Sequence, residues 1–315
     1  MRKMIGREQI PPRTPTICAI VVAALITCIF SLAEAQEPSP AGGNYLDLFG
    51  DVYYLSKDNS SLDAALRNEW TIEAWIYMRK FPPIPKEGEP PFNYSCILAK
   101  PGSYMLLLES FFLILDDVKY WESDCFFERF MFKGEKIGGP FLFMAFAGKA
   151  ILPGVFDGPI MDLNKWHHVA IQQHKNMLTS FFDGQVRSID YLKREPDMAP
   201  WKMPDFDSPF YIGNIPAEES HIHETIRKNL YPFEGAIDDL RISNVARYKD
   251  GYERPKGRFK EDIHTMALWH FDEPPGSLRY EDSSGNGNTL ISNRVFDVSL
   301  RGKRITAWGK IKRKP

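Results

Sequence analysis

The sequence predicts an all-β protein, a two-sheet antiparallel β-sandwich. Three observations carry this. Aromatic residues make up 13% of the 315-residue chain, and its 24 prolines and 22 glycines are spread along its length. That composition suits short strands joined by turns better than long helices. The run Glu69–Met78 alternates, with Trp70, Ile72, Ala74 and Ile76 on one face and Thr71, Glu73, Trp75 and Tyr77 on the other. Asp183-Gly184 separates two further alternating runs, 177–182 and 185–189, the strongest short-range hairpin signal in the chain.

Taken in order, the chain begins with a basic front of Arg2, Lys3, Arg7 and Arg13. An apolar run from Ile17 to Ala33 follows, then the small-x-small site Ala33-Glu34-Ala35. This reads as a secretory signal peptide over residues 1–35, with an uncleaved N-terminal anchor as the alternative. Export places the mature chain outside the cytoplasm, extracellular or periplasmic, with no membrane span of its own. Residues 36–43 read as a linker, 44–312 as a single domain and 313–315 as the end of a basic tail. Removing residues 1–35 takes four basic and two acidic side chains, leaving 35 basic and 39 acidic. That balance gives no support to a nucleic-acid surface. Cys18 and Cys28 leave with the signal. The remaining pair, Cys96 and Cys125, suggests one disulfide in a secreted protein, against the alternative of two buried thiols.

Within the domain, 45–49 and 52–55 alternate and flank a Gly50-Asp51 turn. Residues 62–67 form a candidate helical turn, and 69–78 the strand described above, expected to turn one face to the core and leave the other semi-exposed. Five prolines between Phe81 and Phe92 mark a loop. Strands are expected at 96–100, 104–108, 111–115 and 141–147, then at 165–172 and in the hairpin 177–189. Further strands are expected at 210–214, 233–242, 265–271 and 304–312.

Residues 233–242 carry adjacent acids, Asp238 and Asp239, in an otherwise burial-seeking strand. Alternation predicts that the two point to opposite faces, so one of them needs a cation or hydrogen bonds. A salt bridge to Arg241 or Arg247 is the plain reading and a calcium ligand the sharper one.

Several segments, in order, resemble one family: EWTIEAWIYM, KWHHVAIQ…FFDGQ, FYIGN, FEGAIDDLRISNVARY and ALWHFDE…DSSGNGNTL. They are similar to the laminin-G-like, concanavalin A-like lectin/glucanase jelly roll of secreted bacterial proteins, over about residues 43–300. The resemblance implies a jelly roll and a non-catalytic module that recognises a glycan or a cell-surface or matrix partner. It also implies an accessory calcium ion (Ca2+). Asp282, Asn286 and Asn288 offer side-chain oxygens in a loop that Gly285 and Gly287 let curl, and Asp238 or Asp239 would complete the shell. Asp272 and Glu273 are weaker candidates. The family's glycine-rich acidic loop commonly comes early in the domain, whereas here it comes late. Trp121, Tyr191 and Trp201 lie in insertions and are candidates for stacking on a sugar.

The alternative function is a glycoside hydrolase of the concanavalin A-like glucanase type. Such enzymes place closely spaced acids on one strand face. Glu122, Asp124 and Glu128 are the nearest approach to that pattern, in an irregular segment. His221 and His223, or His167 and His168, offer nitrogen for zinc, but no third ligand is identifiable.

Overall fold

The computed structural model describes residues 37–57, 61–62, 69–83, 92–101, 104–111, 140–146, 149–151, 162–175, 177–191, 208–216, 218–219, 227–248 and 252–294. For 92, 104–111, 140–146, 149–151 and 187–191 the description is of backbone alone. The signal segment, the candidate helical turn beyond Leu62 and the expected strand 304–312 lie outside these residues, as do Cys125 and the three acids Glu122, Asp124 and Glu128.

Two sheets stack face to face. The first contains β1 (Leu46–Leu48), β3 (Trp70–Met78), β8 (Trp166–His174), β9 (Met177–Phe182), β10 (Gln185–Tyr191), β13 (Gly235–Ser243) and β14 (Thr265–Trp269), in the order β1-β13-β3-β8-β9-β10, with β14 also on β13. The second contains β2 (Tyr54–Ser56), β4 (Phe92–Lys100), β5 (Tyr104–Phe111), β6 (Pro140–Phe146), β7 (Lys149–Ile151), β11 (Phe210–Ile212), β12 (Leu230–Pro232), β15 (Arg279–Tyr280) and β16 (Leu290–Ser292). Its order is β15-β16-β2-β11-β4-β5-β6-β7, and β12 joins β4 in parallel. The two-sheet sandwich is therefore as predicted, except for that parallel pairing. The strand expected at 104–108 runs on to Phe111 as β5, taking in the first residue of the one expected at 111–115, whose remainder lies outside the described residues. Four short strands, β7, β12, β15 and β16, carry too few residues to show alternation.

The core lies between the sheets. Trp70, Ile72, Ala74, Ile76 and Met78 of β3 meet Ile97 and Leu98 of β4 and Phe210 and Ile212 of β11. Phe210 stacks on Trp269 across the gap, centroids 5.4 Å apart. The hairpin forms where Asp183-Gly184 predicts it: both residues take positive φ, 46° and 85°, as a tight turn matched to strand twist requires.

The opposite face of β3 differs from expectation. Thr71, Glu73, Trp75 and Tyr77 are all buried. Two segments remote in sequence cover them. Residues 244–248 and 252–264 form a strap between β13 and β14, with Phe259 packed in a cluster with Trp75, Tyr77, Trp166, Ala236 and Leu268. Residues 38–45, expected as linker and the start of the first strand, form an arm whose Ala41 and Tyr45 pack on the same cluster. Burial on both faces needs a third layer, and a single strand's alternation cannot announce one.

β13 organises this side of the molecule. β1 pairs with it over Gly235–Ile237 and β14 over Leu240–Ser243. The first and last strands of the sheet thus lie end to end along one edge, meeting at Asp238-Asp239. The N-terminal end of β1 and the C-terminal end of β14 both arrive there.

Candidate functional site

The pairing of β13 with β3 slips between Asp238 and Arg241, a β-bulge, and Asp239 adopts φ 45°. The extra residue cancels the alternation. Both acids are 0% exposed, and both face the layer that covers the outer side of the sheet, which corrects the expectation that they separate. Asp239 accepts hydrogen bonds from the Phe259 amide of the strap and from His270 Nδ1, each 2.5 Å. Asp238 Oδ1 accepts from the Asp239 amide at 2.8 Å, and its Oδ2 has no partner of hydrogen-bonding geometry. Burial, and then the charge of Asp239, push the Asp238 carboxyl up to about 8, although the nearby Ser39 hydroxyl pulls the other way.

Neither arginine pairs with these acids. Arg241 bonds Glu73 at 2.7–2.8 Å, and Arg247 grips Asp262 with two bonds of 2.9 Å. Glu73 is fully buried on the neighbouring strand and also accepts from the Tyr248 hydroxyl, with His168 Nε2 3.4 Å away. Burial alone would raise its pKa. The His168 contact, the Arg241 charge and the Tyr248 hydroxyl outweigh that and hold it down to about 2. This network fastens the strap to the sheet, together with Tyr248 N on Gln172 and Thr71 Oγ on the Val245 carbonyl.

The 282–288 loop holds itself together through its own hydrogen bonds. Asp282 Oδ1 accepts from the amides of Leu268 and Ser284, at 3.0 and 2.9 Å. Oδ2 accepts from Asn288 N and Nδ2, both at 3.0 Å. Asn286 and Asn288 turn their NH2 groups onto the Met266 carbonyl. Both oxygens of Asp282 face N–H groups and two amides present hydrogens, which is the reverse of what a cation attracts. Among the described residues no three His, Cys, Asp or Glu side chains are placed to hold a metal ion. As arranged, Asp282, Asn286 and Asn288 spend these groups on hydrogen bonds within the loop and to β14. The loop is an Asx-type cap that ties β14 to β16.

Beside the bulge lies an open cleft of about 310 Å3, lined by His270, Phe271, Asp272, Glu273, Glu281 and Ser283. Trp269 anchors its base by donating Nε1–H to the Asn288 carbonyl at 2.8 Å. Phe271 takes φ 56° and turns its ring into the core against Tyr280, sending Asp272 and Glu273 to the surface. Asp272 pairs with Arg258 at 2.7 Å. Glu273 Oε1 accepts from the Glu281 amide at 2.8 Å. Arg279 and the Thr289 hydroxyl hold the exposed Glu281 carboxyl below the usual carboxylate range. Asn44, at the end of the arm, donates to the carbonyls of Asp272 and Glu273 at 3.0 and 3.2 Å. The bond to Asp239 orients His270, and its imidazole completes one wall.

His270 lies in the ALWHFDE segment but was not singled out there. Its one signal is that it interrupts the apolar run Met266–Phe271. Of the other predicted residues, Tyr191 ends β10 opposite Met177. Trp121, Trp201, His221 and His223 lie outside the described residues. His167 and His168 face opposite ways, the first onto Asp183 at 2.6 Å and the second onto Tyr252 at 2.5 Å. Cys96 is a buried thiol in β4 with no disulfide to a described residue, and burial pushes its pKa up.

The architecture is that of the jelly-roll class of β-sandwiches, a fold that presents sites on its rim loops. Within it, residues 149–245 match the family model of the Laminin G domain. No curated protein matches the sequence. Among solved structures, the chain is similar to a protein of Bacteroides ovatus described as a candidate carbohydrate-binding protein. That match has 18% identity and a TM-score of 0.50, and it covers 80% of this chain and 58% of that one. It is also similar to a heptameric SAP-like pentraxin from Limulus polyphemus, at 11% identity, covering 79% and 92% of the two chains with a TM-score of 0.38. Domains LG4-5 of the mouse laminin alpha1 chain share 14% identity, covering 71% and 48%, with a TM-score of 0.31. The Bacteroides protein supports the shared fold, and this chain spans 58% of its length.

Proposed function

We propose that this protein is a non-catalytic binding module, exported by way of residues 1–35, whose cleft at His270–Ser283 takes a glycan of a cell surface or matrix. The observation that carries this reading is the lining of the cleft. Three carboxylates, a serine and an oriented imidazole surround an open volume of about 310 Å3. Sugar hydroxyls are donors, and a wall rich in acceptors suits them. The strap and arm bury the aromatic outer face of the seven-stranded sheet, so the rim is where side chains remain free to meet a ligand. The likeness in fold to a candidate carbohydrate binder points the same way.

The test is a glycan array followed by titration calorimetry. Glu273→Gln keeps an oxygen for the Glu281 amide but removes the charge. It is expected to weaken binding of the selected glycan about tenfold or more, the range for losing a hydrogen bond to a charged group. Binding to no glycan, or affinity untouched by Glu273→Gln, rules out this cleft as the site. Release of reducing sugar from the bound glycan overturns the non-catalytic assignment.

A further inference from the structure

The 282–288 loop contains Asn286-Gly287, the one Asn-Gly step in the chain. At such a step the main-chain nitrogen reaches the asparagine side chain with least hindrance, because glycine brings no Cβ to the approach. The loop leaves the step open. Gly285 and Gly287 take φ 79° and 80°, and a Cβ on either would meet nothing within 4 Å beyond its chain neighbours. Asn286 is exposed. Among the described residues the Gly287 N–H has no hydrogen-bond partner.

The Asn286 side chain helps to hold the loop on β14. Its Nδ2 donates to the carbonyls of Met266 at 3.0 Å and Thr265 at 3.3 Å, and to Ser284 Oγ at 3.1 Å. Ser284 Oγ and Asn288 Nδ2 also donate to the Met266 carbonyl, at 3.1 and 3.0 Å. The bonds from Asn286 to Met266 and Ser284 lie at the surface, where water competes for both partners. Asn288, two residues on, differs in each respect. It is fully buried, is followed by threonine, and bonds Asp282 Oδ2 through both its N–H and its Nδ2. Its carbonyl receives the indole Nε1–H of Trp269.

We propose that Asn286 deamidates spontaneously, and that the tie between β14 and β16 loosens as the protein ages. Solvent base takes the Gly287 amide proton, and the nitrogen attacks Asn286 Cγ. The new N–Cγ bond closes a cyclic succinimide while the Cγ–Nδ2 bond breaks, and the side-chain nitrogen leaves as ammonia after taking a proton from solvent. Water then opens the ring. Cleavage of the N–Cγ bond gives aspartate. Cleavage between that nitrogen and the main-chain carbonyl carbon gives isoaspartate, whose chain runs on through Cβ and Cγ.

Aspartate sets a carboxylate where an NH2 group faced two carbonyls, in the same short loop as Asp282, and acceptors facing acceptors repel. Isoaspartate in addition lengthens the main chain by one carbon ahead of Gly287. That displaces Asn288 from Asp282 Oδ2 and from Trp269 Nε1, a core side chain that is 0% exposed. A surface event thereby reaches the core. Neither Asn286 nor Gly287 lines the cleft, so the proposal is independent of the glycan reading.

The test is peptide mapping by mass spectrometry, with an ammonia assay, on the full chain without residues 1–35 held in mildly alkaline buffer. Residue 286 is expected to exchange its NH2 for OH, with matching release of ammonia, while Asn44, Asn288 and Asn293 stay intact over the same period. The rate is expected to lie within about tenfold of that of an unstructured peptide spanning 281–290, since an exposed loop opens at little cost in free energy. Gly287→Ala is expected to slow the conversion about tenfold or more, because its Cβ obstructs the approach. The aged protein is expected to unfold at a lower urea concentration, and fresh Asn286→Asp to shift in the same direction. Asn286→Gln, whose longer side chain does not close the same ring, is expected to hold its midpoint through the incubation. Asn286 intact after the peptide has converted overturns the proposal, as does equal conversion at Asn288. Conversion at Asn286 with an unchanged urea midpoint overturns the loosening.

Discussion

Glu73→Gln is expected to destabilise the protein by about 3–5 kcal/mol, the range for removing one partner of a buried ion pair. The loss is large because four groups converge on this carboxylate: Arg241, Arg247, the Tyr248 hydroxyl and His168. A neutral amide leaves Arg241, whose side chain is 11% exposed, without its counter-charge. It also presents hydrogens where Tyr248 needs an acceptor. Urea unfolding at pH 7 measures the effect, with Tyr248→Phe as a comparator that removes one bond and is expected to cost about 1–3 kcal/mol. A change below about 1 kcal/mol for Glu73→Gln would show that the strap is held by packing rather than by this network. The pH dependence follows in sign. The folded pKa of Glu73 lies below its unfolded value of 4.5, at about 2. Its contribution is therefore complete above the unfolded value and is lost as pH falls through 4.5 towards 2. Asp238 acts oppositely, its folded value of about 8 lying above the unfolded 3.8. Its proton-linked stabilisation is complete below 3.8 and is lost as pH rises to 8.

Asp282→Ala is the second large effect. It strips the acceptor from three backbone amides and the Asn288 side chain at once. At about 1–3 kcal/mol for a buried donor left unsatisfied, and with part of this loop open to water, a net loss of about 2–4 kcal/mol is expected. In the same experiment, chelator and millimolar calcium are expected to leave the unfolding midpoint of the unmodified protein in place. An ion bound to the native state at a hundred times its Kd would add about 2.7 kcal/mol. A calcium-dependent rise of that order, abolished in Asp282→Ala, would restore the loop as a metal site.

The sequence and the structure agree most closely where the physics is local. Alternation in 70–78 put Trp70, Ile72, Ala74 and Ile76 on the core, and Asp183-Gly184 located a hairpin. Disagreement begins where one residue is inserted. The bulge at Asp239 leaves no mark in composition, since an Asp-Asp pair reads equally well with and without it. Residues 282–288 were legible as a loop, but Asp282 was not legible as an acceptor for N–H groups, because an Asx cap and a calcium loop draw on the same residues. Asp272 and Glu273 were picked out as acidic. Their place in a cleft depends on the left-handed turn at Phe271, a conformation a bulky residue seldom signals.

What the sequence by itself determined is the class of fold, most of its strands and which face of the strongest strand meets the core. These depend on side-chain period and turn chemistry within a few residues. Only the tertiary structure decided that the other face is also buried, that Glu73 anchors a strap and that β1 and β14 meet at Asp238-Asp239. Asn44 and Asp272 are 228 positions apart, and Glu73 and Tyr248 are 175 apart. Contacts of that span are fixed by how two sheets and two covering segments close on each other. The environment of a buried charge is set by that closure and not by its neighbours in the chain.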